Sequence, residues 1–369
     1  MDVPTVGVEE EYLLVDRGTR APVNRGRQVI ATAARELGEL VQSEFYDAQV
    51  EVCTRPTADF ADLRGQLSQL RETTTRAARA AGCLLVASGV PVIAPLEPLT
   101  VTDDERYLRM ARRSAYLIDG FTAVCGCHIH VGTLDRPRAL ALASHMRPWL
   151  PVLQSLTGNS PLMGGRDTGH DSWRSVVFSC WPTVGPPPVV DEAHYLAHVD
   201  GLVAAGVLLD RRMLYWYARP SEHVPTLEIR VSDVNADLDT VILTAALVRG
   251  LAAVLLRDVD AGVPPPKAPP YRLWGAHALA AQSGLDGPGA DPCTGRRMPA
   301  ELLVERLMDR AAPGLAAAGD LDMARTLWDG LRRRGTGASR QRAVLARTGS
   351  LTAVVDRLAV APVDVPLPC

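Results

Sequence analysis

Neither G-x-G-x-x-G nor G-x-x-x-x-G-K-[ST] occurs in this chain of 369 residues, so a nucleotide, if bound, is not held by a Rossmann or P-loop element. Charge of one sign is not in excess: 39 Lys and Arg against 42 Asp and Glu leave a net charge of −3. No overall field therefore favours nucleic acid or a membrane surface. Cysteine is sparse, seven residues without a framework spacing, which argues against a disulfide scaffold and fits a reducing cytoplasm. The first eleven residues are acidic and lack a basic-then-apolar pattern, so no signal peptide is expected. The longest apolar run, residues 238–256, carries Asp239 and Arg249 and follows the cap-like Asp237. It reads as a buried helix, not a membrane span. No internal repeat is visible.

What remains is ordinary for a soluble globular protein with a large core: 47% hydrophobic and 22% charged residues. The most informative stretch is Val6-Gly7-Val8-Glu9-Glu10-Glu11-Tyr12-Leu13-Leu14-Val15, an apolar strand pattern broken by three carboxylates. Alternation places Glu9 and Glu11 on one face and Glu10 on the other. Two neighbouring carboxylates on a sheet face resist desolvation unless a cation lies between them. An edge strand guarded by charge explains the stretch equally well when it is taken alone.

Further along, residues 25–41 show helical spacing and residues 43–53 alternate like a second strand. In that strand Asp47, Gln49 and Glu51 share a phase, and Glu44 is out of phase with Glu51 unless a bulge intervenes. Helices are expected from Asp59, over residues 103–118, over 137–156 with a bend at Pro148 and Pro151, and from Asp191 to about residue 205. Residues 83–89, 122–133, 214–218 and 226–232 read as strands. Residues 158–175, rich in Gly, Asp and Ser, form an expected long loop, and loops of that length are usually functional. Five prolines mark residues 261–270 as a connector to a helical C-terminal part, with helices over 301–311, 321–334 and 340–346. Alternating polar and apolar strands favour an α+β arrangement: an antiparallel sheet with one functional face and helices on the other.

Three strands carry polar pairs two residues apart: Glu9/Glu11, His128/His130 and Glu228/Arg230. Carboxylates with a histidine suit hard or borderline divalent cations, and an arginine beside them suits a phosphate or another anion. Any one pair could instead be a cross-strand ion pair or two satisfied half-buried imidazoles; three pairs plus Glu51 are harder to explain that way. Cys125 and Cys127 alternate out of phase with the histidines and read as core-facing. His194 and His198 lack a glutamate between them and read as surface residues, and Asp103, Asp104 and Glu105 as helix-start charges.

These residues resemble the carboxylate–amine ligases of the glutamate–cysteine ligase type 2 family. The resemblance is carried by Gly7-Val8-Glu9-Glu10-Glu11-Tyr12, by Cys125-Gly126-Cys127-His128-Ile129-His130-Val131-Gly132 and by Gly165-Arg166-Asp167-Thr168-Gly169. It continues in Thr226-Leu227-Glu228-Ile229-Arg230-Val231-Ser232-Asp233-Val234 and in Arg334-Gly335-Thr336-Gly337-Ala338-Ser339-Arg340-Gln341-Arg342. It implies one ligase catalytic domain over residues 1–369, with a glutamine-synthetase-like fold: a curved, largely antiparallel sheet whose concave face binds ATP and Mg2+ or Mn2+, with helices on its convex side. It implies Glu9, Glu11, Glu51, His128 and Glu228 as metal ligands, Glu44 as a weaker one, and Arg230 as a contact to ATP phosphate or an acyl phosphate. Arg174, Arg340 and Arg342 become further anion-binding groups, and residues 158–175 a lid that shields the acyl phosphate.

The same resemblance implies small carboxylate and amine substrates, amino acids first among them, and a cytoplasmic homo-oligomer, a dimer in the simplest case. No nucleic acid or membrane partner is expected. His170 and Trp173 stand where family members usually have tyrosines, which leaves the pair glutamate and cysteine open and a specialised amide ligase of secondary metabolism as an alternative. A metal-dependent hydrolase using the His-x-His strand is a second alternative, and a silent binding protein a third.

Overall fold

The computed structural model describes residues 3–114 and 123–360. Its centre is strand β1 (Thr5–Asp16), whose Val, Tyr and Leu side chains enter the core while Glu9 and Glu11 face a cavity. β2 (Val41–Ser43) and β3 (Gln49–Cys53) lie on one side of it, with β4 (Cys83–Val86) pairing the second half of β1. β5 (Gly126–Gly132) lies on the other side. A two-strand ribbon, β6 (Leu162–Met163) with β7 (Arg166–Asp167), stands apart. β8 (Ala218–Pro220) and β9 (Thr226–Asp233) complete the sheet in the order β2-β3-β1-β5-β9-β8, every pairing antiparallel.

Helices cover the apolar face. Asp59 caps the helix Phe60–Ala80 by accepting from the Ala61 N–H, and Leu63, Leu67 and Leu70 along one stripe are buried. The run expected as a buried helix is one: Leu238–Asp260, capped by Asp237 and buried from Thr240 to Leu256. It packs against the helix Ala300–Ala317 with backbones in near contact, because Gly250 and Gly314 face each other and a Cβ on Gly314 would overlap the Gly250 carbonyl. Helices after residues 261–270 thus share a core with the sheet: Leu303, Leu307 and Leu331 belong to the same buried cluster as Leu13 and Val131.

Several expected boundaries move. Residues 43–53 are not one strand: the chain leaves β2 at Ser43, turns, and returns in β3, pairing Gln42 with Glu51. The expected helix over 137–156 is two, Arg136–Met146 and Leu150–Thr157, because Pro148 and Pro151 each lack an N–H. Pairing to β9 starts only at Ala218, after a short turn at Arg211–Met213, so the strand expected at 214–218 shifts toward the C-terminus. Asp104 caps the helix Glu105–Arg113 as its acidic start suggested; residues 115–118 of the expected helix and Thr122 of the expected strand lie outside the described residues.

Candidate active site

Sheet register, more than sequence proximity, assembles the polar face. Across β1 and β5, Glu9 is opposite His128; across β1 and β3, Glu9 is opposite Cys53 and Glu11 opposite Glu51; across β5 and β9, His130 is opposite Glu228. Between Cys127 and Ile129 the register with β9 slips, so that two residues, Arg230 and Val231, face His128 alone. Such a bulge re-aims side chains, and here Arg230 reaches the same cavity as His128. The cavity, about 670 Å3, is lined by Glu9, Glu11, Glu44, Glu51, His128, His130, Glu228 and Arg230.

The distances are short. His128 Nδ1 lies 3.3 Å from Glu9 and 3.7 Å from Glu228, and its Nε2 lies 3.7 Å from Glu11. His130 Nε2 is 3.0 Å from Glu9, and its Nδ1 is 2.8 Å from the Thr226 hydroxyl. Glu11 accepts a 2.6 Å hydrogen bond from the Gly126 N–H. Glu228 accepts from Arg219 Nε at 2.7 Å and pairs closely with Arg230, whose guanidinium lies 5.9 Å from the Tyr215 ring centroid. Burial pushes the Glu44 carboxyl up to about 8, with repulsion from Glu11 adding to it. Glu51 is raised for the same reason, with Glu9, Glu44 and Glu11 around it. Glu228 goes the other way: burial alone would raise it, but Arg219 and Arg230 hold it well below the usual range. Burial also lowers His128, with Arg230 contributing, so the ring is a neutral imidazole at pH 7, the form that ligates metals.

Donor chemistry fits a divalent cation. One ligand atom each from Glu9, His128 and Glu228 lie within 4.8 Å of one another, and so do those of Glu9, Glu51 and Cys53. His128 Nε2 is buried and has no hydrogen-bond partner among the described residues. Carboxylates with one imidazole suit Mg2+ or Mn2+.

All five residues expected as metal ligands therefore share one cavity, and Glu44 joins them. Its phase objection disappears because it sits in the turn between β2 and β3, not in one strand with Glu51. Glu10 does face away. It is fully buried and holds Arg71, which donates from Nε at 2.9 Å, while Tyr12 donates at 2.5 Å. The core positions of Cys125 and Cys127 and the exposed positions of His194 and His198 are as expected.

Other expectations do not converge here. Arg174 is buried beneath the cavity floor: a Cβ on Gly126 would overlap its guanidinium, which lies 5.5 Å from the Phe178 ring centroid. Arg340 lies outside the cavity and donates to the Gly335 carbonyl at 2.9 Å. Arg342 is also outside, engaged with Asp167 at 2.9 Å, with the His170 carbonyl at 2.9 Å and closely with Asp171. Neither arginine that the resemblance suggested reaches the cavity, because the helix Gly337–Thr348 packs against residues 158–171 instead of the sheet's polar face. No residue from 158 to 175 lines the cavity, so this segment is no lid over it. It is tied down behind the strands, with the Asn159 amide donating to Ala87 and Val234 carbonyls and the Ser160 hydroxyl to Asp233. His170 and Trp173 pack edge to face on each other, 5.1 Å between centroids, away from the cavity. Sequence reasoning missed Arg106, Arg212, Arg219 and Tyr215, all lining the cavity. No local pattern marks Arg219: it meets Glu228 only through the β8–β9 register, in which it is the residue opposite.

Comparison with known proteins places this geometry. The chain matches the model of Glutamate-cysteine ligase family 2 over residues 5–357. It belongs to that family. It is 43% identical over 368 residues to a Salinispora tropica protein named "Putative glutamate--cysteine ligase 2", covering 99% of this chain and 97% of that protein. A Saccharopolyspora erythraea protein named "Putative glutamate--cysteine ligase 2-1" is 44% identical over 357 residues, 96% and 94% of the two chains. Among solved structures, glutamate–cysteine ligase from Francisella tularensis in complex with AMP superposes with TM-score 0.71 at 14% identity, covering 97% of this chain and 88% of that one. A bifunctional glutathione synthetase from Pasteurella multocida gives 0.67 at 16%, covering 96% and 52%. The fold is the glutamine-synthetase-like one, and this glutamate–cysteine ligase family member is an ATP-dependent amide ligase acting on small molecules.

Proposed function

We propose that the chain activates the carboxylate of an amino acid with ATP, through an acyl phosphate, and joins it to an amine, with glutamate and cysteine as the first pair to test. The names of its relatives support that pair. The observation that carries the chemistry is the convergence of Glu9, His128 and Glu228 from three strands, with Arg230 alongside. Glu9, Glu11, Glu51, His128, Glu228 and Glu44 would hold Mg2+ or Mn2+, which when bound neutralises phosphate charge.

The chain's own groups do the rest. Arg230, at the cavity wall over Tyr215, aims a fixed positive charge at the transferring phosphoryl group; the carboxylate oxygen bonds to the γ-phosphorus and ADP leaves. The amine nitrogen then bonds to the acyl carbon, phosphate leaves, and the amine proton passes to solvent or phosphate. Arg219 fixes the Glu228 carboxylate by two contacts, at 2.7 and 3.4 Å, and is itself anchored by the Arg212 and Leu214 carbonyls, both at 2.6 Å. Arg174 supports the floor and acts as a positioning residue. A cytoplasmic homo-oligomer accompanies this reading.

ADP release with panels of amino acids, with and without Mg2+, tests it, with the coupled product identified by mass. Glu9→Gln and Glu228→Gln should each lower turnover by about 10^2-fold or more. Turnover unchanged in both variants sinks the assignment of the metal face; zinc-dependent hydrolysis without nucleotide would favour a hydrolase.

A further inference from the structure

Cys53 stands among carboxylates. Alternation along β3 puts it on the same face as Glu51, and register puts it opposite Glu9 on β1. Its Sγ lies 3.9 Å from a Glu51 oxygen, and it lines the cavity. Ligand atoms of Glu9, Glu51 and Cys53 all lie within 4.8 Å of one another. All three residues are half-buried, so an ion can reach them from the cavity. Zinc holds thiolate at about 2.3 Å and carboxylate oxygen at about 2.1 Å, which places donors roughly 3.5 Å apart around one ion. Closing the trio to that size needs side-chain displacements on the order of 1 Å.

We propose that Cys53 makes the Glu9–Glu51 position a site for a soft divalent cation, zinc or cadmium, bound through a metal–thiolate bond. It rests on the reading of this face as a cation site, though not on turnover. Hardness separates two positions sharing Glu9: Mg2+ takes oxygen donors and gains nothing from sulfur, whereas zinc and cadmium gain a strong bond. On binding, the S–H bond breaks, the sulfur pair bonds to the metal and the proton goes to solvent. Cys53 is the only cysteine among the described residues that groups with two further metal-ligand side chains. In catalysis the soft ion competes for Glu9, so zinc at this position inhibits a Mg2+-supported reaction.

The test uses metal-free full-length protein carrying Cys180→Ser and Cys293→Ser, which removes the other thiols not buried among the described residues, together with Cys369→Ser. Cd2+ is titrated in without nucleotide, and the ultraviolet thiolate-to-cadmium band is read. A saturable band at one equivalent is expected, absent in Cys53→Ser and at least 10-fold weaker in affinity in Glu51→Gln and Glu9→Gln. A band of unchanged affinity in both carboxylate variants would mean a lone thiol and overturns the site, as does the absence of any band in the parent. ADP release in Mg2+ is recorded on the same samples, so failure of the ligase reading shows there and failure of the thiolate site in the absorbance.

Discussion

Replacing Glu10 with glutamine leaves the Arg71 guanidinium charged and unpaired in the core. Both residues are essentially out of contact with solvent, with side-chain exposures of 4% for Arg71 and 0% for Glu10. Arg71 keeps its hydrogen bonds to the Ala236 and Asn235 carbonyls, at 2.8 and 2.7 Å, but loses its only carboxylate partner among the described residues. Breaking one side of a buried ion pair costs about 3–5 kcal/mol, because the remaining charge cannot be resolvated. Unfolding entropy near 2.1 cal/mol/K per residue, over a chain of this size, gives about 0.8 kcal/mol per degree. The expected fall in Tm is therefore roughly 4–6 °C, read by thermal unfolding with a denaturant series alongside. Removing both charges together, with Glu10→Met and Arg71→Met, should recover most of the loss, since apolar replacement of a buried pair is often neutral. A Glu10→Gln shift below about 1 °C, or a double variant worse than the single one, would refute the reasoning.

Metal binding should be proton-linked. In metal-free protein Glu44, raised to about 8, is largely protonated at pH 7, and Glu51 is raised too, so Mg2+ must expel protons. Proton release in weak buffer at pH 7, and an affinity rising about 10-fold per pH unit per proton below pH 8, check this. The same carboxyls bind protons in the folded chain that an unfolded chain releases above about 4.5, so metal-free stability should fall as pH rises from 5 to 8 and fall less with Mg2+ present. Arg342→Ala should leave nucleotide affinity within 2-fold, because Arg342 serves Asp167 and Asp171 outside the cavity, whereas Arg219→Ala should lower ADP release about 10^2-fold by freeing Glu228. Gly126→Ala places a methyl into the Arg174 guanidinium and 3.0 Å from His128 Nε2; calorimetry should show weakened Mg2+ binding with the far-ultraviolet circular dichroism unchanged.

Much of the site was legible because strand alternation is a local property. Glu9 and Glu11 on one face, Glu10 on the other, and the two-apart pairs His128/His130 and Glu228/Arg230 follow from a period of two and need no partner strand. Caps and breaks were legible likewise, since Asp59, Asp237, Pro148 and Pro151 act on the backbone beside them. Tertiary structure alone decided what stands opposite what. Glu44 enters the cavity because a turn separates β2 from β3, and Arg219 reaches Glu228 because β8 pairs with β9 in one register. Arg340 and Arg342 miss the cavity because their helix docks elsewhere, and residues 158–175 are bound down instead of free to close over it. Glu10 shows the boundary most plainly: its direction was settled by alternation, but that it meets a buried arginine sixty-one residues away could come only from the packed helix Phe60–Ala80. Periodicity is written residue by residue, whereas register and docking are set by contacts between distant segments, and no local pattern encodes those.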